Sequence, residues 1–308
     1  MDDSNQTFPD RFILLGLTNV PYLQNIYFLV FLLMYIITLL GNFLLIIVVW
    51  TNPKLHSPMY FFLSNLSIID VSITSSIAPI ILINILSKDR SISLLGCAAQ
   101  IFFSLSLEGT ECIILTVMAY DRFAAICKPL YYNNIMNTKL CLYLAAGSWS
   151  VGFINAFIHV ALTFQLPFCR SHHVNHFFCE IPPFLRLSCR DTQLNQIAVY
   201  ISAGSIVFCS FFLTLISYVH IISSILKIRY SQGRSTAFFT CASHLNVVTL
   251  YYGAILFMYA RPSSAYANGT DKIVSILYTT VTPMLNPFIY SVRNKDVKDT
   301  IINHLSRR

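Results

Sequence analysis

Between Ile26 and Trp50 the chain reads IYFLVFLLMYIITLLGNFLLIIVVW, 25 residues without a charge. About 20 apolar residues are enough to cross the hydrocarbon of a bilayer. Lipid offers no partner to backbone polar groups, so a spanning run must be a helix or a strand of a closed barrel. Barrel strands need only about 10 residues of alternating polarity, whereas this run is longer and continuous. The pattern recurs near residues 59–86, 96–120, 140–164, 197–226, 237–260 and 272–292. The expected fold is therefore an all-α membrane protein, a seven-transmembrane helix bundle. Residues 1–25 form an extracellular N-terminus, 26–292 the membrane domain, and 293–308 a cytoplasmic tail. In that tail RNKDVKDTIINHL sets Val297, Ile301, Ile302 and Leu305 on one face of a short amphipathic helix along the inner leaflet. Only 11% of the 308 residues are charged, against roughly 25% in soluble domains.

Orientation follows from the distribution of Lys and Arg. With the N-terminus outside, 8 of the 20 fall in outer segments and 12, including Arg122, Lys128, Arg234, Lys295 and Arg308, in inner ones. That bias places the C-terminus in the cytoplasm. The formal net charge of +7 is thus a topology signal and not a nucleic-acid footprint, since no soluble basic domain exists to carry one. The opening MDDSNQTFPD lacks the basic region and cleavage site of a secretory signal, so the first span is expected to serve as an uncleaved anchor.

Four of the nine cysteines, Cys97, Cys169, Cys179 and Cys189, fall outside on this topology, where disulfides form. Their three possible pairings are not separable by counting. The other five read as buried thiols that pack like small hydrophobes. Asn5-Gln6-Thr7 and Asn268-Gly269-Thr270 are extracellular glycosylation sequons, whereas Asn65-Leu66-Ser67 lies within the second span. The stretch CRSHHVNHFFCE brings together Cys169, His172, His173, His176, Cys179 and Glu180. It has zinc or copper spacing if its thiols are free; with both oxidised, three imidazoles remain as polar loop residues.

Charges inside a bilayer are costly, so each is a functional hypothesis. Asp70 lies 11 residues in from Met59, and Glu111 lies 11 residues in from Arg122. At roughly 1.5 Å per residue both sit about 16 Å from the inner face, in neighbouring spans. Two carboxylates at one depth need a cation, a proton or a donor network. Asn42 and Asn286, at nearby depths, can supply oxygens to a sodium ion; the plainer alternative is one protonated carboxyl hydrogen-bonded within the bundle. Asp121-Arg122 at the inner mouth of the third span reads equally as a helix-end ion pair or as a contact for a cytoplasmic partner. In PMLNPFIY, Pro287 removes an interior hydrogen bond and Asn286 stands beside the freed backbone, which makes a repackable kink.

Taken together, GN at 41–42, PMYFFLSNLSIID at 58–70, MAYDRFAAICKPLYY at 118–132, SYVHIISSILKI at 217–228, TCASHL at 240–245 and PMLNPFIYSVRNK at 283–295 resemble the odorant receptor family of rhodopsin-like G-protein-coupled receptors. FMYARPSS at 257–264 resembles its tetrapod-type branch. The resemblance covers almost the whole chain. It implies a plasma-membrane receptor that detects a small odorant in the outer half of the bundle and activates the olfactory stimulatory G protein, raising cyclic AMP. It further implies bridges Cys97–Cys179 and Cys169–Cys189, a sodium site at Asp70, Glu111, Asn42 and Asn286, and a coupling and switch set of Asp121, Arg122, Tyr218, Pro287 and Tyr290. No enzymatic activity and no cofactor beyond a structural or allosteric sodium ion are implied. Relatives usually carry Tyr at Phe123 and KAFSTC where this chain has TAFFTC, so Thr236 and Phe239 bear on coupling efficiency.

Glu108 departs from the family pattern, where a small residue is common. It stands one turn outward of Glu111, about 60° around the helix, so both can face the interior. The candidate ligand cavity around it comprises Ser104, Leu105, Gly109, Ser202, Ile206, Tyr252, Ile255, Tyr259 and Ile276. An ionised Glu108 there favours a small amine by charge pairing; left neutral by burial, it would instead donate a hydrogen bond to alcohols, ketones or a helix carbonyl. A secondary transporter is the main rival reading, since intramembrane acids and broken helices are transporter features, but no internal repeat is visible. A non-olfactory chemosensory receptor is the other. A membrane enzyme finds no support in His-Glu-x-x-His, Gly-x-Ser-x-Gly or phosphate-loop motifs, which leaves His159, His220 and His244 as packing or hydrogen-bonding residues.

Overall fold

The computed structural model describes residues 11–18, 20–87, 89–169, 171–227, 231–259 and 270–293. Among these, seven long helices form one bundle. They are α1 (Pro21–Thr51), α2 (Pro58–Leu86), α3 (Leu94–Cys127), α4 (Thr138–Phe164), α5 (Gln193–Leu226) and α6 (Ser231–Tyr259). The seventh, α7, consists of Thr270–Ile276, a π-helical turn Leu277–Val281, and Thr282–Arg293. Six are long and apolar enough to cross a membrane, and α6 carries a shorter apolar stretch, Cys241–Phe257, within its 29 residues. The chain is a multi-pass membrane protein. Its helices overrun most of the apolar runs because hydropathy sees only the part in hydrocarbon, while the hydrogen-bond ladder continues into the interface. The expected tail helix with Val297, Ile301, Ile302 and Leu305, and both sequons at Asn5 and Asn268, lie outside the described residues.

Helix starts carry their usual chemistry. Proline occupies the first turn of α1 and α2, where its missing N–H would have had no partner. Ser93 Oγ accepts from Gly96 N at 3.0 Å to cap α3, and Asn137 Oδ1 accepts from Leu140 N at 2.9 Å to cap α4, each satisfying an orphan donor. Thr282 Oγ1 donates to Leu277 O at 3.0 Å across the wide turn of α7.

The bundle is apolar on both sides of its wall. Leu66, Ile69, Ile114, Leu115, Met118 and Val247 are buried in the central core, whereas Leu33 and Leu40 on α1, Phe157 on α4 and Ile216 on α5 face outward. Large outward apolar surface on every side is what a lipid-facing wall requires and what a water-soluble monomer avoids. Backbone contact is closest between α3 and α4. A Cβ at Gly152 would collide with Thr110 Oγ1 and the Ser106 carbonyl, whereas one at Gly109 would meet only Gly152 Cα at 3.6 Å. Gly152→Ala is therefore expected to cost about 1–3 kcal/mol by overpacking and to lower cell-surface receptor several-fold, with Gly109→Ala near the parent level. Equal surface staining of the two variants would show that α3 and α4 can separate freely.

One end of the bundle is capped. Arg11–Leu14, expected as plain N-terminal segment, forms strand β1. It pairs antiparallel with β2 (Ser91–Ser93), Phe12 opposite Ile92, and parallel with β3 (His173–Val174), Leu14 beside Val174. Phe12 and Leu14 point into a second core with Phe168, Phe184 and Leu185, where Phe12 meets Phe184 edge-on at 4.8 Å between ring centroids. Alternation along β1 explains the strand, since period two sends these side chains inward and Arg11 and Ile13 outward. Disulfides Cys97–Cys179 and Cys169–Cys189 tie the α4–α5 loop to α3 and to itself, the pairing that the family resemblance implied.

Candidate functional site

Beneath the cap lies a cavity of about 570 Å³ walled by α3, α5, α6, α7, the α4–α5 loop and one residue of α4, Asn155. Ser104, Leu105, Glu108 and Gly109 of α3, Ile206 of α5 and Ile255 of α6, all expected from the sequence, line it. Three expected residues face elsewhere. Ser202 turns to α4, where its hydroxyl is hydrogen-bonded to His159 Nε2. Tyr252 reaches the bundle core and donates to Cys112 O at 3.0 Å, leaving its neighbour Tyr251 to line the cavity. Ile276 packs against the central core instead. The side chain of Tyr259 lies outside the described ones.

Glu108 is the polar centre of the floor. Among the described residues its carboxylate makes no hydrogen bond or ion pair, and two neighbouring donors are committed elsewhere. Ser104 Oγ donates to Gln100 O at 2.5 Å, and Tyr251 donates to the backbone oxygen of Glu108 itself at 2.8 Å. Higher in the cavity Tyr278, placed by the π-helical turn, donates to Glu180 Oε1 at 2.6 Å.

Glu180, His176 and Tyr278 were not anticipated as cavity residues, since they are brought in by the cystine-tied loop and by the irregular turn of α7. Gln100 fixes the loop further. Its Nε2 donates to the Ser76 carbonyl at 3.0 Å, one turn before Pro79 in α2, and its Oε1 accepts from Cys179 N at 2.9 Å. Burial, aided by the charge of Lys272, pushes the His176 imidazole down to about 3. It is neutral at pH 7, so its 3.7 Å approach to Glu180 Oε2 is not an ion pair. With Cys169 and Cys179 oxidised, and no group of three or more His, Cys, Asp or Glu placed around one point among the described residues, the loop offers no zinc or copper centre.

Deeper in the bundle, Asn286 Nδ2 donates to both oxygens of Asp70 at 3.1 and 3.0 Å, and Asn42 Nδ2 donates to the carbonyls of Thr38 and Pro283 at 3.0 and 3.1 Å. Among the described residues, Asn42 Oδ1, Asn286 Oδ1 and both carboxylate oxygens of Glu111 are buried without a hydrogen-bond partner. Acceptor oxygens with no donor are the surroundings that a small hard cation satisfies, so the residues fit sodium.

At the opposite end from the cap, Arg122 Nη2 and Nε donate to Asp121 Oδ2 at 2.5 and 3.1 Å, while Tyr132 donates to Asp121 Oδ1 at 2.7 Å. The Tyr218 hydroxyl is hydrogen-bonded to His244 Nδ1 at 2.6 Å, joining α5 to α6. The Tyr290 hydroxyl is buried with no partner among the described residues. Pro287 seats against α1, where a Cβ on Gly41 would stand 2.9 Å from its Cγ. Phe123 lies 5.9 Å from the ring of His220 and 5.8 Å beneath Lys128 Nζ. The side chains of Thr236 and Phe239 lie outside the described ones.

The family model described as olfactory receptor matches residues 31–308. The chain is 46% identical to human Olfactory receptor 5G3 over all of its own length and 98% of that protein's. It is 48% identical to mouse Olfactory receptor 5AR1 over 97% of this chain and 96% of the relative, and 49% identical to human Olfactory receptor OR9H1 over 96% of each. A seven-helix membrane bundle with a capped cavity, matched end to end at nearly half identity, is a receptor and not an enzyme: the chain belongs to the olfactory receptor family.

Proposed function

We propose that this odorant receptor detects a small amine in the capped cavity and signals through a stimulatory, olfactory-type G protein that raises cyclic AMP. The observation that carries the ligand class is the Glu108 carboxylate, which lines the cavity without a hydrogen-bond partner among the described residues, while Ser104 and Tyr251 donate elsewhere. A buried carboxylate needs hydrogen-bond donors, and an ammonium supplies three together with the compensating charge. Apolar neighbours such as Ile206, Val207 and Ile255 suit the hydrocarbon remainder of the ligand.

The capped end, with the N-terminus, faces outside and the Asp121–Arg122 end faces the cytoplasm, as the charge bias supports. Sodium bound among Asp70, Glu111, Asn42 and Asn286 would add positive charge to two buried carboxylates and hold α1, α2, α3 and α7 together. Glu108→Gln keeps shape and hydrogen bonding and deletes the charge. A charge-assisted bond contributes about 1.5–3 kcal/mol, so amine potency in a cyclic AMP assay should fall about 10-fold or more. Inactivity of all amines on the parent receptor, or equal amine potency on the Gln variant, would refute the amine reading.

A further inference from the structure

We propose that the preferred ligand is an amino alcohol, its ammonium on Glu108 and its hydroxyl on Asn155 of α4. The inference rests on the amine reading of the cavity and adds a second anchor to it. Asn155 is the one residue of α4 that lines the cavity, and among the described residues its side chain makes no hydrogen bond. Three other polar side chains of α4 are committed. Ser148 Oγ donates to Leu144 O at 2.7 Å, Trp149 Nε1 donates to Asn65 Oδ1 at 3.1 Å, and His159, one turn beyond Asn155, is bonded to Ser202 of α5.

Glycine packing brings the two anchors into one layer. Gly109, next to Glu108, faces Gly152 across the closest backbone approach in the bundle wall, and Asn155 stands one turn from Gly152 on the same face. The contact sets Gly152 level with Gly109, so Asn155, three residues toward the cap along α4, and Glu108, one residue toward the cap along α3, lie roughly 3 Å apart in depth.

The chemistry selects a hydroxyl. The Asn155 amide presents an acceptor oxygen and an NH₂ donor. A ligand carbonyl would use only the donor and a second ammonium only the acceptor, whereas a hydroxyl accepts from Nδ2 and donates to Oδ1 of the one side chain or to a neighbouring water. A plain amine leaves Asn155 to water, which satisfies it well, so the hydroxyl adds selectivity rather than the bulk of the affinity.

The test compares primary alkylamines of three to six carbons with their hydroxyl-bearing counterparts of equal length, by cyclic AMP in intact cells and by competition binding on membranes. On the parent receptor the best amino alcohol should be about 5- to 10-fold more potent than its matched amine, the range of one neutral hydrogen bond. Asn155→Leu should erase that ratio while leaving the plain amine within about 2-fold of its parent potency, which also reports an intact fold. If Asn155→Leu fails to reach the surface, Asn155→Ala provides the same comparison. Plain amines active with no advantage for any hydroxyl, or an advantage that survives the loss of Asn155, would overturn this inference and leave the amine reading standing. Activity of neutral odorants with neither amines nor amino alcohols active would overturn both.

Discussion

Cys97→Ser is expected to remove the receptor from the cell surface and with it every odorant response. The bridge to Cys179 closes a loop of 82 residues, for which the chain-entropy relation gives about 4.5 kcal/mol. That is a large share of the roughly 5–15 kcal/mol by which folded proteins exceed their unfolded states. More is lost than entropy. Cys179 sits between Phe177 and Phe178, both buried in the central core, and Glu180 in the cavity wall, and its backbone N–H is held by Gln100. Without the bridge these groups are held by packing and by the Gln100 and Tyr278 hydrogen bonds alone. Cys169→Ser opens a loop of 20 residues and should do less harm, about 3 kcal/mol on the same relation. Surface staining and a normal dose response in the Cys97 variant would show that the cap holds itself.

Removal of Arg122 should abolish signalling while ligand binding persists. The guanidinium is 14% exposed and its partner Asp121 is fully buried, so the simple Arg122→Ala variant strands a carboxylate. Breaking a buried pair on one side costs about 3–5 kcal/mol, and poor expression could then pass for lost coupling. The decisive variant is Arg122→Ala with Asp121→Asn, which removes both charges and keeps a side chain able to accept from the Tyr132 hydroxyl. Amine binding on membranes should match the parent, with the cyclic AMP response reduced to the level of untransfected cells. A parent-like response in the double variant would make the pair a structural helix-end contact only.

The helical frame was legible in the sequence because lipid leaves the backbone so few options. A charge-free run such as Ile26–Trp50 states its own conformation, and Asp70, Glu111, Asn42 and Asn286 could be brought to one depth by rise per residue alone. What rise does not deliver is rotation. Choosing Tyr252 over Tyr251 for the cavity is an error of one residue, about 100° around α6, and Ser202 misses for the same reason. Loop residues carry no periodicity at all. His176 and Glu180 reach the cavity because two cystines and Gln100 fold the α4–α5 loop inward, and Tyr278 because α7 contains a π-helical turn. The metal spacing of the loop was visible, and the oxidation of its two cysteines makes the spacing irrelevant. β1 escaped notice since four alternating residues next to 25 apolar ones make a faint signal.

The cap also sets an order of assembly. β1 leaves the ribosome well before its partners Ile92 and Val174, which are translated about 80 and 160 residues later. The Lys272 ammonium, which donates to the Gly16 carbonyl at 2.7 Å, follows it by 256 residues. Contacts so distant along the chain form slowly, because closure entropy precedes any gain. Phe12 and Leu14 must wait, uncovered, through most of synthesis, and chains with uncovered apolar strands are the ones that aggregate or are retained. The cavity gains its closing wall only when α7, with Tyr278 and Lys272, is in place, so an immature chain is incomplete at its pocket as well as sticky.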